Sequence, residues 1–290
     1  MTMENADFQD INEVKANMDH IYNQPDPRAY FRELKKLNYS IPDTALPIFR
    51  KIIEQVRQDE DDTVHVLDLG CSYGVNAALL KHDLSMDELY SHWAHAELAG
   101  ANAKEVAARD KEFFTNLENP DNIEVIGLDL AQNAISFGED VGLLDEGLAV
   151  NLETGGLPVQ AREMLSPIDL VTSTGCIGYV TEKTFDNILP AVMAGRSPWI
   201  ANFVLRMFPF DAIEETLADR GYVTEKLEGQ TFLQRRFESD DEQEQALDQL
   251  REQGFEPTNE EVDGNLVAEF FLSRPKRDAE EMSLESLLAA

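Results

Sequence analysis

Cations are scarce in this chain. Its 290 residues carry 24 Lys and Arg against 56 Asp and Glu, a formal net charge of -32. Such a field repels polyanions unless a dense basic patch overrides it. The basic pairs Lys35-Lys36, Arg235-Arg236 and Lys276-Arg277 stand isolated, so nucleic acid is disfavoured as a partner. Cysteine is nearly absent. Cys71 and Cys176 are expected to stay free thiols in a reducing compartment, with too few ligands around them for zinc. No run reaches the ~18 apolar residues of a membrane span. The opening residues Met1 to Asp10 are polar and acidic, without a signal-peptide pattern. These absences lead to the expectation of a soluble, cytoplasmic, non-membrane protein. The acidic residues are spread along the chain, as on a solvated surface suited to a saline cytoplasm or simply that of an acidic enzyme. Two phosphate-binding glycine patterns are missing as well, G-x-G-x-x-G and G-x-x-x-x-G-K-[ST].

What is present begins at Val64. Val64-His65-Val66-Leu67-Asp68-Leu69 is an apolar run ending near an acid, Gly70-Cys71-Ser72-Tyr73-Gly74 is a glycine-bearing turn, and Val75 to Leu80 suits a helix. A buried strand entering a tight loop and then a helix is how an α/β sheet forms a ligand site at the carboxyl ends of its strands. Further strands are expected at Ile123 to Asp129, Gly147 to Leu152, Ser166 to Thr174 and Ser197 to Leu205. Asp129 repeats the pattern of an acid at a strand's end, where two carboxylate oxygens suit a vicinal diol.

The segment from Val64 to Gly74 resembles motif I of class I S-adenosylmethionine-dependent methyltransferases, (V/I)-L-D-L-G-C-G-x-G. Asp68, Leu69, Gly70, Cys71 and Gly74 match, and Ser72 departs from the middle Gly. Asp129 and then Asp169-Leu170-Val171 follow in the family's order, and the resemblance extends to about residue 272. It implies a doubly wound, mostly parallel seven-stranded α/β sheet in the order 3-2-1-4-5-7-6. It also implies a site residue by residue. Asp68, Gly70, Cys71, Ser72 and Gly74 would approach the cofactor, Asp68 near its methionine end. Asp129 would take the ribose hydroxyls and Leu130 would pack beside the adenine. Asn151 or Leu152 would meet the adenine edge, and Ser173 and Thr174 would border the mouth. Asp169 is expected to be structural. The [D/N]-P-P-[Y/F/W] motif of amino-methylating members is missing, which leaves a small-molecule acceptor open.

Three domains or segments are expected: residues 1–57 as a helical lid, 58–275 as the cofactor-binding domain with a helical insertion at about 83–118, and 276–290 as a charged tail. Within the lid, Phe8, Ile11, Val14, Met18 and Ile21 recur at helical spacing. Asp26 with Pro27 starts a second helix, and Asp43 caps a third. Tyr22, Tyr30 and Tyr39 are its candidate substrate-facing aromatics. In the insertion, Ser85 and Glu88 form a capping box, and His92 and His95 lie one helical turn apart, with no third ligand to make a metal site. Ser239 and Glu242 cap a helix that Gly254 stops, and Asp263-Gly264 signals a hairpin turn. The tail either frays or docks on a second subunit, which leaves a homodimer open.

The implied chemistry is in-line methyl transfer from S-adenosylmethionine to a small molecule, with no metal. No residue identifies itself as a general base; Tyr179 and His92 are the candidates. Two other readings stay open. One is a cofactor-binding enzyme that modifies a protein or cyclises the cofactor's aminobutyrate arm. The other is a non-catalytic module that keeps the fold.

Overall fold

The computed structural model describes residues 18–289. Its strands are β1 Val64–Leu69, β2 Ile123–Asp129, β3 Glu146–Ala149, β4 Leu170–Thr174, β5 Trp199–Leu205, β6 Tyr222–Lys226, β7 Phe232–Arg236 and β8 Asn265–Pro275. They form one sheet in the order β3-β2-β1-β4-β5-β8-β6, with β7 also paired to β8. The first five strands pair in parallel, and β8 runs antiparallel to β5, β6 and β7. The helices needed below are α1 Arg28–Lys36, α2 Ile41–Val56, α3 Val75–His82, α4 Met86–Trp93, α5 Ala103–Thr115, α6 Gln132–Val141, α7 Glu182–Val192, α8 Asp211–Ala218 and α9 Asp240–Glu252.

The central strands are continuous apolar runs because both of their faces are covered. On one face Val66, Leu170 and Phe203 pack with α2, α3 and α6, including Phe49 and Leu79. On the other, Leu67, Val171, Ile200 and Val204 pack with Ile188 and Ile213 of α7 and α8. The sheet is therefore doubly wound. The chain steps outward from β1 to β2 and β3, then returns past β1 to β4 and β5, so a crevice opens between β1 and β4 at their carboxyl ends.

Asp169 precedes β4 and is structural: its carboxylate accepts from the His65 backbone N–H at 3.0 Å and from Arg196 at 2.9 Å. The Ser85–Glu88 capping box forms at the start of α4, and Ser239 caps α9.

Several expectations are corrected. Among the described residues there are eight strands, because Phe232–Arg236 forms one of its own beside the amino-terminal half of β8, while β6 pairs with the other half. Alternation hid β7: Gln234 and Arg235 are both buried, and Arg235 is tolerated there only because Glu242 of α9 neutralises it. β3 ends at Ala149, short of Leu152. Asp263-Gly264 makes no hairpin; it links a helical turn, Asn259–Val262, to β8. Helix α2 starts at Ile41, ahead of Asp43, whose carboxylate accepts instead from the Met86 N–H of α4 at 2.8 Å. Asp26 does reach the start of α1, accepting from the Arg28 N–H at 3.1 Å. Of the five apolar positions in the first expected helix, Phe8, Ile11 and Val14 lie outside the described residues, while Met18 and Ile21 are core residues. No helix among the described residues is long and apolar enough to cross a membrane.

Candidate functional site

The loop after β1 turns through three left-handed residues, Gly70 at φ +67°, Ser72 at +50° and Gly74 at +82°. Gly70 has no alternative, since a Cβ there would lie 2.5 Å from the Cβ of Cys176. Ser72 pays a steric cost that glycine would avoid. Its conformation aims its N–H at the Asp129 carboxylate, 2.8 Å away. The second Asp129 oxygen accepts from the Ala131 N–H at 2.9 Å. Each oxygen keeps a further acceptor position. Burial pushes the Asp129 carboxyl upward, opposed by the backbone N–H groups of Ala131, Ser72 and Leu130. Leu130 next to it is an exposed apolar side chain, 39% accessible.

Asp68, on the strand itself, is fully buried on the face covered by the N-terminal helices. One oxygen accepts from Asn76 Nδ2 and Thr172 Oγ1, each at 2.9 Å, and Asn76 also donates to Thr174 Oγ1 at 3.1 Å. The other oxygen, Oδ2, has no hydrogen-bond partner, and neither has the buried Ser72 hydroxyl. Burial, outweighing the Asn76 and Thr172 hydrogen bonds, pushes the Asp68 carboxyl up to about 7. Native structures leave few such buried atoms unpaired, and each one calls for a physical explanation.

Aromatic rings roof this network. Five of the seven tyrosines converge there: Tyr30 meets Tyr22, Tyr39 and Tyr73 edge-on at 5.5–6.4 Å, and Phe31 links the group to Tyr90. Tyr39 shares hydrogen bonds with Tyr30 and Thr174, and burial holds its hydroxyl far above the usual range. Tyr73 ties the roof down. Its hydroxyl accepts from the Gln24 N–H at 2.8 Å and faces the carbonyls of Gln24 and Ile21 at 3.0 and 3.2 Å. Asn133, after Asp129, adds two hydrogen bonds to Asn23 at 2.8 and 2.9 Å.

The structure thus gathers Asp68, Gly70, Cys71, Ser72, Gly74, Asp129, Leu130 and Thr174 under Tyr22, Tyr30 and Tyr39. Cys176 lies near Cys71, and burial raises the Cys71 thiol well above the ordinary range. Tyr179 is half-buried in the loop leaving β4, its N–H bonded to the Cys176 carbonyl. Asn151 accepts from the N–H groups of Glu153 and Thr154, shaping the loop after β3. Other candidates lie elsewhere. Leu152 is a core residue of the opposite face. Ser173 also points to that face, donating to Asn202 at 2.8 Å. His92 is held inside the insertion by Asp110 at 2.7 Å and by stacking on Phe113, so it takes no part in the crevice. Among the described residues no cluster of three or more His, Cys, Asp or Glu is placed to hold a metal.

Sequence reasoning missed Tyr73, Asn76, Thr172 and Gln234. Tyr73 stands inside motif I and Asn76 in the first turn after it, so proximity to the motif was the available signal. Gln234 is buried on β7 against Gly175, where an added Cβ would lie 2.0 Å from its Nε2, and its Oε1 is unpartnered. Nothing local marks it.

No family model and no curated protein sequence matches the chain. Solved structures resemble it at low identity. The plantazolicin methyltransferase BpumL, in complex with SAH, is 10% identical; the match covers 81% of this chain and 84% of that one with a TM-score of 0.40. A TehB-like SAM-dependent methyltransferase from Corynebacterium glutamicum is 14% identical over 76% and 84%, TM-score 0.37. The Haemonchus contortus phosphoethanolamine N-methyltransferase 2, in complex with S-adenosyl-L-methionine, is 13% identical over 78% and 51%, TM-score 0.37; this chain spans about half its length. The likeness is distant.

Proposed function

We propose that the crevice binds S-adenosylmethionine and that the protein transfers its methyl group to a small-molecule acceptor. The observation that carries this reading is the pair of acids toward the carboxyl ends of the neighbouring strands β1 and β2: Asp68 with an unpartnered oxygen, and Asp129 bracing the glycine loop while keeping an acceptor position on each oxygen. In this reading Asp129 takes the two ribose hydroxyls, Leu130 covers an adenine face, and the backbone of Gly70 to Gly74 lets the cofactor approach. Asp68 sits beside its cationic methionine end.

The cofactor supplies a methyl group already activated on a sulfonium. The chain's task is then orientation and exclusion of water. Residues 19–56 serve as the lid. Tyr30 and Tyr39 shut out solvent, and the Tyr73 and Asn133 contacts hold the cover closed, so loading requires those contacts to open. In this reading Tyr179, in the loop leaving β4, orients the acceptor. A base is needed only for an acceptor that arrives protonated.

Titration calorimetry with S-adenosylmethionine, in high-potassium buffer suited to an acidic fold, tests the reading. One-to-one binding is expected. Loss of a hydrogen bond to a charged group costs about 1.5–3 kcal/mol, so Asp129→Ala should weaken binding at least about tenfold. No binding to the folded protein, or wild-type affinity in Asp129→Ala, would sink the proposal. Mass analysis of products from an acceptor panel then separates methyl transfer from other uses of the cofactor.

A further inference from the structure

A cavity of about 760 Å³ lies between α1 and α4, lined also by Gln24, Pro25 and Asp26 ahead of α1. Its volume falls within the ~300–1,000 Å³ range of small-molecule sites. Four of its fourteen lining residues are Lys or Arg, in a chain with only 24 of them among 290 residues. Three of the four, Arg28, Arg32 and Lys35, stand at i, i+4 and i+7 on α1, which puts them on one stripe of the helix. Lys36 follows directly.

These cations are not all neutralised. Arg28 is consumed: it pairs with Asp26 at 2.8 Å and donates to the carbonyls of Leu98 and Ala101. Glu33 is shared between Arg32 and Lys36. That leaves three cations, Arg32, Lys35 and Lys36, against one acid. Arg32 and Lys36 are mostly exposed and free to turn toward a ligand. The Debye length is only about 8 Å at physiological salt, so the distant acidic surface is screened and this local excess decides what enters. The floor is apolar, built from the largely buried Phe31, Tyr90 and Trp93. Phe31 stacks on Trp93 with ring centroids 4.1 Å apart, and Tyr90 stands edge-on to Phe31, with the Lys35 ammonium 5.6 Å from its ring.

We infer that this groove is a binding site for a small anion with an aromatic body, such as an aryl phosphate: the ring lies on the Phe31, Trp93 and Tyr90 floor and the anion meets Arg32, Lys35 and Lys36. The cavity shares Phe31, Tyr90 and Gln24 with the roof over the strand-end network, but no strand or glycine-loop residue lines it.

The test uses the full chain without S-adenosylmethionine, so it stands or falls apart from the proposed methyl transfer. Calorimetry is run with 1-naphthyl phosphate, inorganic phosphate and 1-naphthol. One-to-one binding of naphthyl phosphate is expected, at least about tenfold tighter than either fragment and weakening as salt rises. The exposed double substitution Arg32→Glu with Lys35→Glu should reduce it at least about tenfold at an unchanged melting temperature. If that variant melts early, Arg32→Gln with Lys35→Gln supplies the same comparison. No binding of naphthyl phosphate at millimolar concentration, equal binding of naphthol, or undiminished binding in a folded double variant would each overturn the inference.

Discussion

Two buried polar clusters, both on the sheet, teach opposite lessons. Arg235 and Glu242 are each only 3% exposed, and they satisfy one another. Two charge-assisted hydrogen bonds join them at 2.9 and 2.5 Å, and Glu242 also takes the Glu238 N–H. Asp68 is buried more completely, yet it meets only Asn76 and Thr172 and leaves Oδ2 empty. The first cluster is closed and joins β7 to α9. The second is incomplete, and the low-dielectric surroundings that strengthen its hydrogen bonds also make its missing partner costly. A closed cluster serves the fold; an open one at a strand end is poised for a ligand.

The contrast breaks first at the closed pair. Glu242→Leu strands a buried guanidinium, and removing one partner of such a pair costs about 3–5 kcal/mol. Urea denaturation should show that loss, and the added change Arg235→Met should return most of it. A single-variant loss under about 1 kcal/mol would mean that the pair is hydrated rather than buried.

The open cluster should respond with the other sign. Asp68→Asn keeps both hydrogen-bonded acceptor roles and removes a charge that burial opposes. The carboxyl titrates near 7 in the folded chain against an ordinary 3.8. Between those values the native state holds a proton that the unfolded state has lost, so this group's contribution to stability falls as pH rises from about 4 to about 7 and is level above. The variant should match wild type near pH 4 and exceed it by up to about 4 kcal/mol above pH 7, since each pH unit between the folded and unfolded titrations is worth about 1.4 kcal/mol. Denaturant midpoints across that range decide it. If the wild-type advantage instead grows with pH, Asp68 has a cationic partner in the free protein. By the proposed function the same substitution weakens S-adenosylmethionine binding, so stability and affinity move in opposite directions.

The same two clusters mark what was legible in sequence. Asp68, Gly70, Gly74 and Asp129 were readable because each sits within a few residues of the strand end that gives it meaning. The places of β1 to β5 along the chain were readable from their apolar runs, whereas their order in the sheet came only from the resemblance to the methyltransferase family. The Arg235–Glu242 pair was not readable. It buries two charges that a residue-by-residue view assigns to solvent, and only the packing of α9 on β7 makes them mutual partners. His92 failed in the reverse direction: as a lone histidine in a long insertion it was open to chemistry, but Asp110 and Phe113 use it for packing. Asn76, Thr172 and Gln234 carry no pattern of their own. They matter because separate elements bring them to one place.

The smallest expected effect is at the seam where the N-terminal helices close over the open cluster. Tyr73→Phe keeps the ring contacts with Tyr30 and Phe137 and deletes only the hydroxyl. The Gln24 N–H then loses its acceptor. One unmade hydrogen bond costs about 1–2 kcal/mol, and because the cover is local, the cost falls on its opening rather than on global unfolding. Hydrogen exchange across residues 19–24 should quicken by roughly tenfold, since about 1.4 kcal/mol is a factor of ten, while the urea midpoint shifts little. By the proposed function, S-adenosylmethionine dissociates faster from the variant in stopped-flow measurements. Unchanged exchange with an unchanged dissociation rate would show that the aromatic contacts alone hold the cover, and that the Tyr73 hydroxyl belongs with Glu242 among groups already satisfied for structural reasons.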